Sequence, residues 1–257
     1  MGFIKSIAVA ATAVFMIAGA ANAGEKIKIG TEGAYPPFNN LTADGKLVGF
    51  DVDIAKALCA EMKVECEFVV QDWDGMIPAL INSKFDAVIA SMSITEDRLK
   101  KVDFSGKYYN TPPAIAVAKD SKIAGVSADD LKGVALGAQS STTHSNYAEA
   151  LLSGSDLKLY PSADEYKLDI TSGRIDAVID DVVVLSDWIA SEDGACCKIL
   201  GTLVPDDKIN GIGAGIAVRK GETELRDRFT AAIAAIRANG KYKEINDKYF
   251  AFDVYGG

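Results

Sequence analysis

The chain has 257 residues, 49% hydrophobic and 25% charged, enough to bury a core without help from metals or many disulfides. With 36 acidic side chains against 27 basic ones the net charge is −9, which argues against a nucleic-acid-binding surface and raises the local concentration of small cations. A single histidine, His144, excludes a multi-histidine metal site, and seven prolines without a polar low-complexity tract argue against extended disorder.

Residues 1–23 carry Lys5, an apolar run from Ile7 to Ala18, and the ending Ala21-Asn22-Ala23. A positive start, a short apolar core and a small-x-small ending mark a cleavable export signal, and the run is short for a span of ~20 residues. No later apolar run reaches spanning length, so an exported product that is not membrane-embedded is expected.

After this segment, residues 26–30 alternate with period two and read as a strand. Residues 51–62 place Val52, Ala55, Leu58, Cys59 and Met62 on one helical face, with acidic residues in the first turn. Residues 64–70 read as a second strand, 74–82 as a short amphipathic helix, and 85–90 as a third strand. This βαβαβ order predicts a parallel sheet with helices on its faces. The phrase Lys84-Phe85-Asp86-Ala87-Val88-Ile89 then recurs as Arg174-Ile175-Asp176-Ala177-Val178-Ile179, and Lys28-Ile29-Gly30-Thr31-Glu32 is echoed by Val134 to Gln139. Two echoes in the same order point to two lobes of similar build. The chain closes with a helix over residues 222–238, striped by Leu225, Phe229, Ile233 and Ile236 and capped at Asn239-Gly240, and a last helix over residues 241–250.

Export makes the four cysteines interpretable, because an oxidising compartment permits disulfides. Cys59 and Cys66 flank a helix end and the following strand. A bridge between them closes a small loop and contributes ~2.5 kcal/mol on a chain-entropy argument. Cys196 and Cys197 are adjacent, and either a strained ring or two thiols fits the sequence. Neither pair has zinc spacing.

In open α/β sheets, ligands sit beyond the carboxyl ends of the strands. That rule nominates residues 32–35, 91–93, 139–144, and Asp180 or Asp181. Glu32 is a carboxylate with Tyr35 and Trp73 as aromatic faces. Ser91, Ser93 and Arg98 supply hydroxyls and a fork-shaped cation. Residues 140–143 open a predicted helix, where backbone N–H groups hold anions. Asp181 is a second carboxylate on the other lobe. An anion receptor, an ammonium receptor and a separate carboxylate beside aromatics suit an α-amino acid with a distal positive charge.

At these residues the chain resembles the periplasmic amino-acid-binding proteins of ABC importers, in the lysine/arginine/ornithine- and histidine-binding group. The resemblance is carried by Gly30-Thr31-Glu32-Gly33-Ala34-Tyr35-Pro36-Pro37-Phe38, Gly49-Phe50-Asp51-Val52-Asp53-Ile54, Asp72-Trp73-Asp74, Ser91-Met92-Ser93-Ile94-Thr95 with Arg98, and Gly173-Arg174-Ile175-Asp176-Ala177. It extends to the Cys59/Cys66 spacing and to the closing Asp253-Val254-Tyr255-Gly256. It implies an α/β, two-lobed type II periplasmic binding protein fold, each lobe a mostly parallel sheet flanked by helices, joined by two hinge strands. Lobe one would comprise residues 24–111 and 209–257 and lobe two residues 112–208, with crossings near 109–114 and 205–213.

The resemblance further implies a non-catalytic, monomeric protein that takes up a basic amino acid in the periplasm, delivers it to an inner-membrane ABC permease, and needs no cofactor or metal. Carried over by position, Arg98 pairs with the ligand carboxylate, completed by Ser93, Ser141, Thr142 and Thr143. Asp181 and the Ala90-Ser91-Met92 run meet the ammonium, Tyr35 and Trp73 flank the side chain, and Glu32 takes the distal cation. Gln139 and His144 are also expected to line the site. Common dibasic binders carry aspartate at the Glu32 position and phenylalanine at the Trp73 position, so the slot here differs in length. Opine binders combine glutamate and tryptophan at those positions. They usually lack the Asp181 carboxylate, and they carry an insertion where residues 119–133 are short. The rival from another class is a cyclohexadienyl dehydratase-like lyase, with Asp164 or Glu165 as the general acid.

Overall fold

The computed structural model describes residues 24–256 and Gly2; apart from Gly2, the export signal expected over residues 1–23 lies outside the described residues. The first half-lobe runs β1 (Lys26–Thr31), β2 (Ala34–Tyr35), β3 (Asn39–Leu41), β4 (Leu47–Val48), α1 (Phe50–Met62), β5 (Glu65–Val70), α2 (Met76–Ile81), β6 (Ala87–Val88), α3 (Glu96–Leu99) and β7 (Val102–Tyr109). The chain then crosses into β8 (Pro113–Ala118), β9 (Ala135–Gln139), α4 (Thr143–Leu151), β10 (Asp156–Tyr160), α5 (Ala163–Thr171), β11 (Ala177–Asp181), α6 (Val182–Ala190) and β12 (Cys197–Thr202). It returns through α7 (Asp207–Asn210) to β13 (Ala214–Arg219), α8 (Thr223–Ala238) and α9 (Lys241–Tyr249).

Two five-stranded sheets result, ordered β5-β1-β6-β13-β7 and β10-β9-β11-β8-β12, beside a small sheet β2-β3-β4. In each large sheet three strands run parallel and the fourth and fifth extend it by antiparallel pairing. The sequence echo therefore marks the same place twice, because β6 and β11 both sit centrally after a parallel pair. Its aspartates do the same work in each lobe. Asp86 Oδ2 accepts the Lys28 N–H and Asp176 Oδ2 accepts the Ala135 N–H, both at 2.9 Å, tying each central strand to its neighbour.

The expected strand over residues 85–90 is paired only at Ala87–Val88. Phe85 lies against Gly30 of the neighbouring strand, where a Cβ would fall 2.6 Å from the ring, so a glycine is required opposite it. Beyond the strand, Ser91 takes a positive φ of 56° and turns the chain off the sheet. The helix expected over residues 74–82 opens as a 3-10 turn (Trp73–Gly75) before α2, and Pro78 is tolerated because it falls in the first turn.

One hydrophobic cluster runs from Ile29 and Phe50 under the first sheet, through Tyr109 and Ala114, to Val178 and Trp188 under the second. Phe38 stacks on Tyr109 with centroids 4.5 Å apart, so the last residue of β7 is clamped before the chain leaves the first lobe. Residues 110–112 make one connection. The other, residues 203–213, winds into the single turn of α7 on its way back. Among the described residues no helix is long and apolar enough to cross a membrane. The Cys59–Cys66 bridge is formed, whereas Cys196 and Cys197 are both thiols.

Candidate functional site

Between the two sheets lies a cavity of about 390 Å³. It is lined from the first lobe by Glu32, Tyr35, Trp73, Ala90, Ser91, Ser93 and Arg98, and from the second by Gln139, Thr142, Thr143, His144 and Asp181. Most follow the carboxyl ends of β1, β5, β6, β9 and β11, as the strand-end rule requires, while Tyr35 lies in β2 and Arg98 on α3.

Glu32 follows β1 directly and is 9% exposed, with Oε1 accepting from Gln139 Nε2 at 2.6 Å across the lobes. Burial pushes its carboxyl up to about 7; the Gln139 bond opposes this, and Asp180, Asp164 and Asp72 reinforce it. The Asp181 carboxyl is likewise pushed up to about 7 by burial, against the bonds donated by the Thr111 hydroxyl and the Val183 N–H. Asp181 also caps α6. Its neighbour Asp180 is 2% exposed and takes bonds from the Tyr35 and Tyr166 hydroxyls and, at 2.7 Å, from the Asp181 N–H. Asp181, not Asp180, therefore faces the cavity. His144 Nδ1 lies 3.2 Å from Asp180 Oδ1, but burial lowers the imidazole pKa, and Arg98 lowers it further against the pull of Asp180. The contact is that of a neutral histidine rather than an ion pair.

Arg98 is set by the short helix α3, whose cap Thr95 accepts the Arg98 N–H at 3.3 Å. Two of its five guanidinium donors hold carbonyls, Ser93 O at 3.0 Å and Ser141 O at 3.2 Å. The guanidinium also lies over the Trp73 ring, 5.3 Å from its centroid. Burial lowers its pKa to about 10, which leaves it charged at neutral pH. Thr142 caps α4 through a capping box with Ser145. The lobes are also latched by Trp73 Nε1 to Ser141 O at 3.2 Å and by Ser140 Oγ to Asp74 at 3.0 Å.

Several expectations are corrected. Met92 does not line the cavity; it is 1% exposed and packs with Met76, Leu80 and Val88. In the extended run that follows Ser91, successive side chains alternate, so Ser91 and Ser93 face the cleft and Met92 faces the core. The Ser141 side chain is also absent from the lining and sits on an outer groove; only its carbonyl is used, turned inward by a positive φ of 57°. The Ser91 hydroxyl is committed to buried Asp51 at 3.0 Å. One face of Trp73 is covered by Arg98, so its cation–π partner here belongs to the protein. Asp164 and Glu165, the conceivable general acids, are exposed on α5 outside the lining.

Sequence reasoning missed the floor of the cavity, formed by the two connections: Tyr109, Asn110, Thr111 and Pro113 on one, Asp207 and Asn210 on the other. Two signals pointed there, the expected crossings and the adjacent prolines, but neither singles out a side chain. Counting ionisable groups, the lining holds carboxylates at Glu32, Asp181 and Asp207 against cations at Arg98 and Lys107. A guanidinium and an excess of carboxylates in one enclosure match a ligand with one acid group and two cationic groups.

Two similar α/β lobes, two connections and a polar cleft at their strand ends define a two-lobed solute-binding protein of the type II periplasmic kind. Residues 27–252 match the bacterial extracellular solute-binding proteins, family 3, and the chain belongs to that family. It is 48% identical to the L-arginine-binding protein of Pseudomonas aeruginosa over 91% of each chain. It is 39% identical to the histidine-binding periplasmic protein of Salmonella typhimurium, over 91% of this chain and 90% of that one. Among solved structures, a Salmonella typhimurium periplasmic binding protein with high arginine specificity superposes with a TM-score of 0.82 at 33% identity, covering 88% of this chain and all of that one. An ancestral arginine-binding protein bound to arginine superposes at 0.81 with 38% identity, over 88% and 98% of the two chains.

Proposed function

We propose that this chain is a periplasmic, monomeric and non-catalytic binding protein for a basic L-amino acid, with arginine, lysine and ornithine as the leading ligands and histidine as a further one. It closes on its ligand and delivers it to an inner-membrane ABC permease. Lobe one comprises residues 24–111 and 209–257, and lobe two residues 112–208. The observation that carries this reading is the pair of buried carboxylates, Glu32 and Asp181, in a cavity that also holds Arg98. Both are lifted to about 7 because the closed cleft deprives them of water and of countercharge. A ligand with two cationic groups restores that countercharge, and its carboxylate pairs with Arg98.

In this assignment Arg98, Ser93, Thr142 and Thr143 hold the carboxylate, and Asp181 holds the α-ammonium. Ser91, its hydroxyl already given to Asp51, contributes through its backbone. Glu32, steadied by Gln139, receives the distal guanidinium or ammonium beside Tyr35 and Trp73. The names of the relatives agree with a basic ligand. Ligand then favours closure by adding contacts that exist only when the lobes meet.

The test is a thermal-shift and calorimetry panel of arginine, lysine, ornithine, histidine, glutamine, glutamate, an opine and prephenate. A specific ligand at a hundred times its Kd should stabilise the protein by about 2.7 kcal/mol. Preference for a neutral or dicarboxylic amino acid, or turnover of prephenate, would overturn the proposal.

A further inference from the structure

Outside the cleft, Cys196 and Cys197 form a second centre of chemistry. Their Sγ atoms lie 3.0 Å apart, with Cys196 exposed and Cys197 wholly buried in the core. The backbone around them is anchored: Lys119 N–H donates to Cys196 O at 2.9 Å, and Cys197 N–H to Gly194 O at 3.0 Å. The two sulfurs are thus held in contact rather than meeting by chance, and closing a bond of about 2.0 Å needs an approach of only about 1 Å.

We propose that Cys196 and Cys197 are a reversible modification site, a vicinal dithiol that low-molecular-weight disulfides oxidise to an intrachain ring. The exposed Cys196 thiolate attacks one sulfur of the external disulfide and expels the other as a thiolate, leaving a mixed disulfide. Cys197 then loses its proton, attacks the Cys196 sulfur and expels the second thiolate. The protein gives up two hydrogens, and the external disulfide becomes two thiols. Burial, and then the neighbouring Cys196, push the Cys197 thiol up to about 12, so the second step limits the rate and quickens as pH rises.

Two consequences separate this site from the structural bridge. Neighbouring Cα atoms across a trans peptide are about 3.8 Å apart, below the usual range of about 4.4–6.8 Å for a disulfide, so the ring is strained and easily reduced. The Cys59–Cys66 pair spans 5.9 Å. The site is also remote from the cleft. Cys197 pairs with Ala118 at one end of the β8–β12 ladder, Thr202 pairs with Ala114 at the other, and the four residue steps from Ala118 to Ala114 along β8 measure about 13 Å.

The test uses the full chain with its two thiols verified free by alkylation, then incubated with oxidised glutathione at pH 7 and 8.5, acid-quenched, alkylated and weighed by peptide. The expected result is loss of two hydrogens from the peptide holding both cysteines, faster at pH 8.5, with no alkylation there. Ring opening should occur at a lower reductant concentration than opening of Cys59–Cys66. Cys197→Ser should stop at a glutathione adduct on Cys196, and Cys196→Ser should take up no adduct. The affinity for whichever amino acid the cleft binds should be unchanged within twofold. The proposal is overturned if both thiols stay alkylatable, if wild type accumulates only the Cys196 adduct at both pH values, or if oxidation yields a disulfide-linked dimer. The thiol readouts do not depend on the cleft's ligand, so failure here and failure of the transport reading are told apart.

Discussion

Replacing Glu32 by glutamine tests the charge argument most directly. Raising the Glu32 carboxyl from its ordinary 4.5 to about 7 means that ionising it in the empty closed cleft costs about 3 kcal/mol more than in water. A distal guanidinium cancels that cost, and a neutral side chain does not. Glutamine keeps the shape and can still bond Gln139, but it leaves the buried guanidinium without countercharge. Truncating one partner of a desolvated charge pair costs about 2–5 kcal/mol, and the retained carbonyl acceptor places the loss near the lower end. Arginine should therefore bind the variant roughly 30- to 150-fold more weakly, a loss of about 2–3 kcal/mol. Citrulline, the neutral isostere, should bind the variant as well as or better than wild type, because the ionisation cost is gone. Calorimetry at pH 7.5 and fixed ionic strength, with both ligands on both proteins, reads the two signs. Equal losses for arginine and citrulline, or no change for arginine, would refute the reasoning.

Four further outcomes are expected. Arg98→Ala should abolish calorimetric binding of every amino acid tried, and Arg98→Lys should lose at least about tenfold, since a point charge cannot replace a fork that also holds two carbonyls; binding retained by the alanine variant would remove the carboxylate assignment. The Glu32 and Asp181 carboxyls sit near 7 when the cleft is closed against ordinary values of 4.5 and 3.8, so the closed form binds more protons; closure without ligand should be favoured as pH falls from about 7 to 5, by up to about tenfold per unit for each carboxyl, and lost as pH rises through 7. Scattering or lobe-to-lobe energy transfer on ligand-free protein would show it, and a flat profile would contradict it. Asp51→Asn should cost about 2 kcal/mol and lower Tm by about 4–8 °C, because the Asn39 amide and the Ser91 and Tyr108 hydroxyls converge on that carboxylate and one would meet a donor instead. Serine at both Cys59 and Cys66 should cost about 2.5 kcal/mol, seen as a lowered denaturation midpoint with unchanged arginine affinity.

The parallel core was legible because β1 alternates with the period that sheets impose, and because the Asp86 and Asp176 phrases repeat where the topology repeats. Glu32 and Asp181 could be placed in the cavity because they stand at the ends of β1 and β11, whereas Arg98, on α3, was reached through the Ser91–Arg98 run and the family resemblance. The place of Met92 was not legible, since the positive φ at Ser91 decides which face each following side chain takes, and serine has no sequence signature for that backbone turn. Ser141 acts through a carbonyl, a group every residue carries, so residue type cannot announce it. Thr111 and Asp207 lie on aperiodic connections, where neither a 3.6- nor a 2-residue rhythm exists to read. Tyr166 reaches Asp180 from α5, fourteen residues upstream, a pairing that only the packed fold creates.

Thr111 stands where a connection between the sheets meets the cavity. It belongs to the three-residue passage between sheets, yet its hydroxyl is bonded to Asp181, and the opposite passage reaches the same chamber at Gly211, held at a φ of +75°. Residues of both connections are therefore also parts of the wall. If Asp181 takes the ligand's ammonium as proposed, the group that recognises the guest is bonded directly to a residue of the connection between the sheets. Altering the chamber near residue 111 would disturb one connection directly, whereas rebuilding it around Glu32 would disturb the Gln139 bond that spans the two lobes.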